Sequence, residues 1–193
     1  MKRPLYYPGT LTLIYGPMFS GKTGKLIASA KILKNLKREF IIFKPALDDR
    51  YSKSASLHSH DHKMLKAELV DTNSLDIITE RIIEQSPDTV LIDEIQFFDK
   101  MKILKLVQDC LRLGINVIAA GLLEDYRLQP FGVVPILLKM ADESWPLYSV
   151  CQKCGAKAAH SERVSGGDKT IDVGASDKYI AACTKCHKIY QDH

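Results

Sequence analysis

The sequence lacks any hydrophobic run long enough to cross a membrane. Its longest apolar stretch covers residues 117–123, whereas a spanning helix needs about 20 residues. The basic start is followed at residues 4–10 by a segment without the apolar core of a secretory signal. Low-complexity tracts and internal repeats are also absent. These absences favour a soluble protein of the cytoplasm.

A strong excess of one charge is missing as well. The chain has 27 Lys and Arg against 23 Asp and Glu, a net charge of +4. That mild balance suits an anionic ligand, and we expect neither nucleic acid nor a membrane surface as a partner. Hydrophobic residues make up 46% and charged residues 26%, which is the composition of a globular chain and excludes general disorder. The length allows one ordinary core with a small appendage.

Strand-like and helix-like segments alternate along the chain. Short apolar runs predict strands at residues 11–15, 40–43, 89–92 and 115–121. Helical periodicity predicts helices at residues 23–36, 74–85 and 102–113, the last ending at a C-cap Gly114. Residues 48–66 have no clear period and are predicted to form a long loop. This alternation predicts an α/β fold, with a parallel sheet covered by helices on both faces.

The character of the sequence changes near residue 150, where paired cysteines and glycines replace long apolar runs. We therefore predict a main domain over residues 1–148 and a small second domain over residues 149–193.

The first predicted strand runs into a glycine-rich segment that fits the pattern G-x-x-x-x-G-K-[ST] and opens the first predicted helix. Backbone N–H groups and the helix N-terminus bind phosphate oxygens in such a loop. An ordinary glycine turn would be preceded by a predicted strand and followed by a predicted helix only by coincidence. We predict a nucleotide site in which Lys22 neutralises the β- and γ-phosphates and the Thr23 hydroxyl binds Mg²⁺. The predicted ATP-binding residues of this loop are Gly16, Pro17, Met18, Phe19, Ser20, Gly21, Lys22 and Thr23.

The strand predicted at residues 89–92 ends in two carboxylates, Asp93 and Glu94. Mg²⁺ prefers oxygen ligands, so Asp93 is predicted to bind Mg²⁺ together with Thr23. Glu94 would then face the reacting oxygen as a general base. A base there could activate water, giving an ATPase or motor, or a substrate hydroxyl, giving a kinase. The spacing alone does not separate these two reactions.

Four of the five cysteines form two C-x-x-C pairs, a spacing typical of metal binding in a reducing compartment. Four thiolates around Zn²⁺ make a closed structural site, and four unrelated thiols are the less favoured interpretation. His160 and His187 could be alternative ligands. Cys110 lies alone in an apolar periodic segment and is predicted to be a core residue. The predicted zinc ligands are Cys151, Cys154, Cys183 and Cys186.

Together these segments resemble the zinc-containing thymidine kinase family. The phosphate loop GPMFSGKT is similar to that family's own version, and DEIQFF at residues 93–98 is similar to its D-E-x-Q-F-F signature. Further matches cover nearly the whole chain: KP at 44–45 before DDRY at 48–51, Ser-His at 59–60, PFG at 130–132, both cysteine pairs and residues 174–179.

This resemblance implies an ATP:thymidine 5′-phosphotransferase with a recombinase-like P-loop core and a small C-terminal zinc-ribbon or lasso domain. It implies structural Zn²⁺, Mg²⁺ with ATP, a homotetramer, and thymidine triphosphate as feedback inhibitor. Glu94 matches the base that accepts the 5′-hydroxyl proton, and Lys22 and Arg50 match the cationic groups at the phosphates. Asp93, Glu94, Ile95 and Gln96 match ATP-binding positions. The implied substrate-binding residues are Met18, Phe19, Phe98, Tyr126, Ile171, Asp172, Val173, Gly174 and Tyr179.

The chain also departs from the family pattern. Leu123 stands where the family usually has an acid, and Ala175 replaces a glycine of the lasso, so preference for thymidine over deoxyuridine is left open. The alternative to a kinase is a P-loop ATPase, or a nucleic-acid-binding module that grips through the zinc ribbon. Lysines of the ribbon are interleaved with acids, which favours a solvated surface.

Overall fold

A computed structural model describes residues 8–46, 56–58, 64–165 and 178–189. The elements in chain order are β1 (Leu11–Tyr15), α1 (Lys22–Asn35), β2 (Phe40–Pro45), β3 (Ser56–His58), β4 (Met64–Lys66), β5 (Glu68–Val70), α2 (Asp76–Gln85), β6 (Thr89–Ile92), a 3-10 turn (Ile95–Phe97), α3 (Lys100–Arg112), β7 (Asn116–Gly121), α4 (Val134–Met140), β8 (Glu143–Pro146), β9 (Ser149–Val150), β10 (Lys157–Ala158), β11 (His160–Arg163) and β12 (Tyr179–Ala182).

Six of the strands form one parallel sheet in the order β5-β2-β6-β7-β1-β8. Strand β7 lies between β1 and β6, so that Leu13 is opposite Ala119 and Leu91 is opposite Ile118. Since all strands run the same way, the segments that follow β1 and β6 leave the sheet at the same edge. Ligands of open α/β sheets bind at this carboxyl edge. The predicted phosphate loop and the acidic pair are therefore brought together by the topology.

Successive residues of each central strand face opposite sides of the sheet. Leu13 and Ile92 pack in one core, whereas Ile14 and Leu91 pack in the other. The first core is closed by α2, α3 and α4 through Ile78, Ile82, Ile103, Leu106, Val107, Val134 and Leu137. The second is closed by α1 through Leu26, Ile27 and Ala30. The prediction of an α/β fold with helices on both faces is confirmed.

Helix α3 begins at Lys100, before the predicted start at residue 102, and ends at Arg112, close to the predicted C-cap glycine. The Asp99 carboxylate caps it by accepting from the backbone N–H groups of Met101 at 3.1 Å and Lys102 at 2.9 Å. Gly114 follows the helix with φ of 73°, a left-handed conformation that glycine adopts without strain. Cys110 lies buried in the first core, as predicted.

Several elements were absent from the sequence prediction, among them two short strands, one helix and an edge strand. Strands β3 and β4 pair antiparallel, with Leu57 opposite Leu65, inside the segment predicted to be a loop; the rest of that loop lies outside the described residues. Helix α4 has only seven residues with a proline in its first turn, too short for a clear period. Strand β8 is an edge strand whose side chains are mostly exposed, so it carries no apolar signal.

After β8 the chain forms two small antiparallel pairs, β9 with β10 and β11 with β12. The division into domains at residues 148 and 149 stays a prediction. In the parts of the chain that the structure describes, every helix is too short or too polar to cross a membrane.

Candidate active site

The phosphate loop joins β1 to α1 in a conformation that needs its glycines. Gly21 has φ of 83° at the start of α1, and Phe19, with φ of 63°, is a left-handed non-glycine residue. Such residues cost free energy and cluster at functional sites. At Gly16 a Cβ atom would lie 2.3 Å from the Leu147 carbonyl oxygen. The loop is therefore held against the chain that follows β8.

Lys22 is folded back over this loop. Its ammonium group donates to the Pro17 carbonyl oxygen at 2.7 Å, and the residue is 7% exposed. Burial lowers the pKa of Lys22, and the nearby carboxylates of Glu94 and Asp93 act in the opposite direction. A phosphate group at the loop would stabilise the charged ammonium form, as a phosphate-binding lysine requires.

Asp93 and Thr23 meet across the sheet edge. The Thr23 hydroxyl donates to Asp93 Oδ2 at 2.9 Å, and the Glu94 backbone N–H donates to Asp93 Oδ1 at 3.1 Å. Burial, followed by the charge of Glu94, raises the pKa of Asp93 to about 7, although Thr23 and Lys22 oppose the shift. A half-buried hydroxyl and a buried carboxylate offer the oxygen donors that Mg²⁺ prefers, so these residues fit that ion.

Glu94 is held by Gln96. Gln96 Nε2 donates to Glu94 Oε2 at 2.5 Å, and Gln96 Oε1 accepts from the Leu122 backbone N–H at 3.1 Å. The backbone of Glu94 adopts the left-handed conformation, with φ of 50°. Two glycines leave room for Gln96: a Cβ at Gly121 would lie 2.7 Å from Gln96 Oε1, and one at Gly132 would lie 2.4 Å from the Gln96 carbonyl oxygen. The carboxylate therefore has a fixed direction.

The four predicted zinc ligands form one cluster. Their sulfur atoms all lie within 4.8 Å of one another, and Cys154 Sγ is 3.7 Å from Cys183 Sγ. Zn–S bonds of about 2.3 Å in a tetrahedron place sulfurs about 3.8 Å apart, so the cluster fits Zn²⁺. The Cys183 backbone N–H lowers the pKa of Cys151 to about 6, whereas contact with Cys154 raises the pKa of Cys186 to about 12. A metal ion would be needed for all four to be thiolates.

Both ring nitrogens of His160 are engaged elsewhere. Nδ1 contacts the Glu124 carboxylate, and Nε2 lies 3.1 Å from the Thr184 hydroxyl. His160 is therefore committed to other partners, and the group of metal-binding side chains that lies together among the described residues consists of the four cysteines.

The sequence model of the thymidine kinase family matches residues 9–187. The chain belongs to the thymidine kinase family. Membership makes it a nucleotide-binding transferase of a family of kinases that act on thymidine, and the cysteine cluster at its C-terminal end could hold zinc.

Two tyrosines that the kinase family resemblance assigns to the nucleoside lie around one buried arginine. The Arg163 guanidinium is 5.0 Å from the Tyr126 ring centroid and 5.7 Å from that of Tyr179. Arg163 is 1% exposed, and a desolvated cation–aromatic contact is stabilising. Sequence analysis missed Arg163, since nothing local marks a strand arginine that contacts residues far along the chain.

The other predicted nucleoside contacts of the kinase are spread more widely. Met18 and Phe19 lie in the phosphate loop, whereas Phe98 lies buried in the first core. Ile95, which was predicted to bind ATP, is buried in the same core. Five residues with predicted roles lie outside the described part of the chain, and these roles stay predictions: Arg50, Ile171, Asp172, Val173 and Gly174.

Proposed function

We propose that this protein transfers the γ-phosphate of ATP to the 5′-hydroxyl of thymidine, with deoxyuridine as a second acceptor. The product would be thymidine monophosphate, made in the cytoplasm for nucleotide salvage and DNA synthesis. The observation that carries the proposal is the junction of the two strand ends, where the Thr23 hydroxyl bonds to Asp93 and the next residue, Glu94, is oriented by Gln96. A phosphate loop and a directed carboxylate at one edge suit transfer to a hydroxyl.

The loop residues would hold the triphosphate. Backbone N–H groups of the loop and the charge of Lys22 would bind its β- and γ-phosphates, and Thr23 and Asp93 would hold Mg²⁺. The ion, when bound, neutralises charge on those phosphates. We assign Arg50 to the phosphates from the family pattern. Binding and charge neutralisation supply most of the rate in such reactions because the bond change itself needs little covalent help.

Glu94 would accept the proton of the nucleoside 5′-hydroxyl. Its Oε2 accepts from Gln96, so we assign Oε1 to the 5′-hydroxyl of the nucleoside. A base must lie within hydrogen-bond reach of the proton that it removes. The Gln96 amide keeps the carboxylate in one orientation, which lowers the entropy cost of that contact.

The thymine ring would lie beside the buried tyrosines. Tyr126 and Tyr179 share contacts with Arg163, and flat rings suit a flat base. We assign the backbone of residues 171–174 to the polar edge of the base, and Met18, Phe19 and Phe98 to its surroundings. Structural zinc at the four cysteines would fix the segment that carries Tyr179. We further propose a homotetramer with thymidine triphosphate as its feedback inhibitor, on the family pattern alone.

The test is a nucleoside panel. Purified protein would be incubated with Mg²⁺ and ATP plus thymidine, deoxyuridine, deoxycytidine or no nucleoside, with ADP release followed by a coupled assay. Thymidine-dependent release supports the proposal, and release that ignores the nucleosides would make the protein an ATPase. Lys22→Met should abolish the activity, whereas the exposed Lys25→Met, a matched change three residues away, should retain it.

A further inference from the structure

Strand β11 is polar along its whole length and yet mostly buried. Ser161 and Glu162 are each 5% exposed, and burying polar groups costs free energy unless they are hydrogen-bonded. Side chains alternate along a strand, so Ser161 and Arg163 share one face and Glu162 lies on the other. The contacts of the two faces show what this strand joins.

On one face, Ser161 bonds to the phosphate loop. Its hydroxyl accepts from the Met18 backbone N–H at 2.9 Å, across 143 residues of sequence. Pro17 has no N–H, so Met18 offers the first donor after Gly16, and Ser161 takes it.

The apex of the loop also rests on the cysteine module, defined here as the four cysteines with Ala158 and Ala181. The Phe19 side chain packs against the buried residues of this module, and its carbonyl oxygen accepts from the Ser149 hydroxyl at 3.3 Å. This packing accompanies the left-handed backbone of Phe19. The conformation of the loop therefore depends on the position of the module.

On the opposite face, Glu162 ties β11 to both cysteine pairs. Its carboxylate accepts from the Lys153 ammonium group, and Lys153 also donates to the Cys186 carbonyl oxygen at 3.0 Å. The second carboxylate oxygen accepts from the Lys188 backbone N–H at 3.0 Å. Lys153 lies within the first pair, and Lys188 follows the second. Displacement of either pair would thus move β11 and, with it, Ser161.

We infer that Ser161 is a positioning residue of the phosphate loop, through which metal binding at the four cysteines and nucleotide binding at the loop strengthen each other. The inference rests on the proposed function, since it takes ATP or ADP as the ligand of the loop and zinc as the ligand of the cysteines. Coupling between two sites is reciprocal. A metal-filled module that steadies the loop tightens nucleotide binding, and bound nucleotide must then tighten metal binding by the same factor.

The test uses the full chain with its metal content measured first. Zinc affinity would be measured by equilibrium competition with a chromogenic zinc chelator, with and without ADP and Mg²⁺, and the ADP dissociation constant would be measured by calorimetry. In the wild type, ADP should protect the metal by raising zinc affinity about fivefold or more, the lower end of ordinary coupling between sites. In Ser161→Ala that protection should disappear and ADP affinity should fall by a similar factor. Ser161→Thr, which keeps the hydroxyl, should restore both, and the exposed Ser144→Ala should behave as wild type.

Two results would overturn the inference: a wild type that binds ADP but holds zinc with unchanged affinity, or a Ser161→Ala variant that keeps full protection. The wild-type measurement decides the matter even if Ser161→Ala does not fold. A chain that binds ADP but holds no metal would also overturn it. Failure of the wild type to bind ADP at all would instead contradict the proposed function.

Discussion

Replacing Gln96 by leucine removes the donor that orients Glu94 while keeping a side chain of similar size. Gln96 is 3% exposed, and its Nε2 lies 2.5 Å from Glu94 Oε2. Hydrogen bonds to charged groups contribute about 1.5–3 kcal/mol. Since about 1.4 kcal/mol of barrier is a factor of ten in rate, loss of this bond in the transition state should lower kcat roughly 10- to 100-fold.

The same change leaves the Leu122 backbone N–H without its acceptor, Gln96 Oε1. An unpaired buried donor costs about 1–3 kcal/mol of folding free energy, so Tm should fall by several degrees. Gln96→Glu separates the two effects. It keeps an acceptor for Leu122 but sets a second carboxylate against Glu94, which should move the acidic limb of the pH–rate profile to higher pH.

Steady-state kinetics with thymidine and ATP, together with thermal melts, would check this. The KM for ATP should change little, because Gln96 contacts the proposed general base, Glu94, and not the phosphate loop. Gln108→Leu, on the exposed face of α3, is the matched control and should change neither kcat nor Tm. A Gln96→Leu variant that folds and turns over within twofold of wild type would refute the positioning role.

Three further predictions concern Glu94, Asp93 and the metal site. Glu94→Gln should reduce turnover by at least 100-fold while calorimetry shows ATP binding retained, and unchanged turnover would remove Glu94 from the base role. Burial raises the pKa of Asp93 to about 7, so the folded protein binds this proton more tightly than the unfolded chain. The stabilisation that comes from this tighter proton binding is fully present below about pH 4 and is lost as pH rises through 7. In magnesium-free melts, Asp93→Asn should therefore have a higher Tm than wild type at pH 8. An equal Tm difference at pH 4 and pH 8 would contradict this. Chelation of zinc should speed amide exchange in β11 and β12 before it does so in β1, and unaltered exchange in those strands would rule out a structural metal.

Much of the fold follows from local pattern, because the central strands are short apolar runs beside periodic helices. Strand β6, at Thr89–Ile92, has the bounds predicted for it, and α3 ends before the predicted Gly114. Elements whose side chains show no apolar pattern in the sequence could not be predicted. Edge strand β8 shows mostly exposed side chains, and α4 is too short to display a helical period.

The candidate site divides in the same way. Lys22, Thr23, Asp93 and the cysteines lie in fixed spacings that carry their chemistry, and the structure brings the first three together and clusters the last. The partners that orient the site could not be predicted. The role of Gln96 at ATP stays a prediction, and no pattern indicated that its amide would donate to Glu94 or that Ser161 would accept from Met18 across 143 residues. Such long-range contacts depend on the packing of the whole chain, and one sequence carries no pattern for them.

The central claim is transfer of the terminal phosphate to the 5′-hydroxyl of thymidine. Phosphorus NMR of the product, formed from ATP and thymidine, tests it most directly. We expect a monophosphate signal split by coupling to the two C5′ protons, formed in step with ADP and greatly reduced with Glu94→Gln. A phosphorus signal coupled to one C3′ proton, or inorganic phosphate alone, would contradict it.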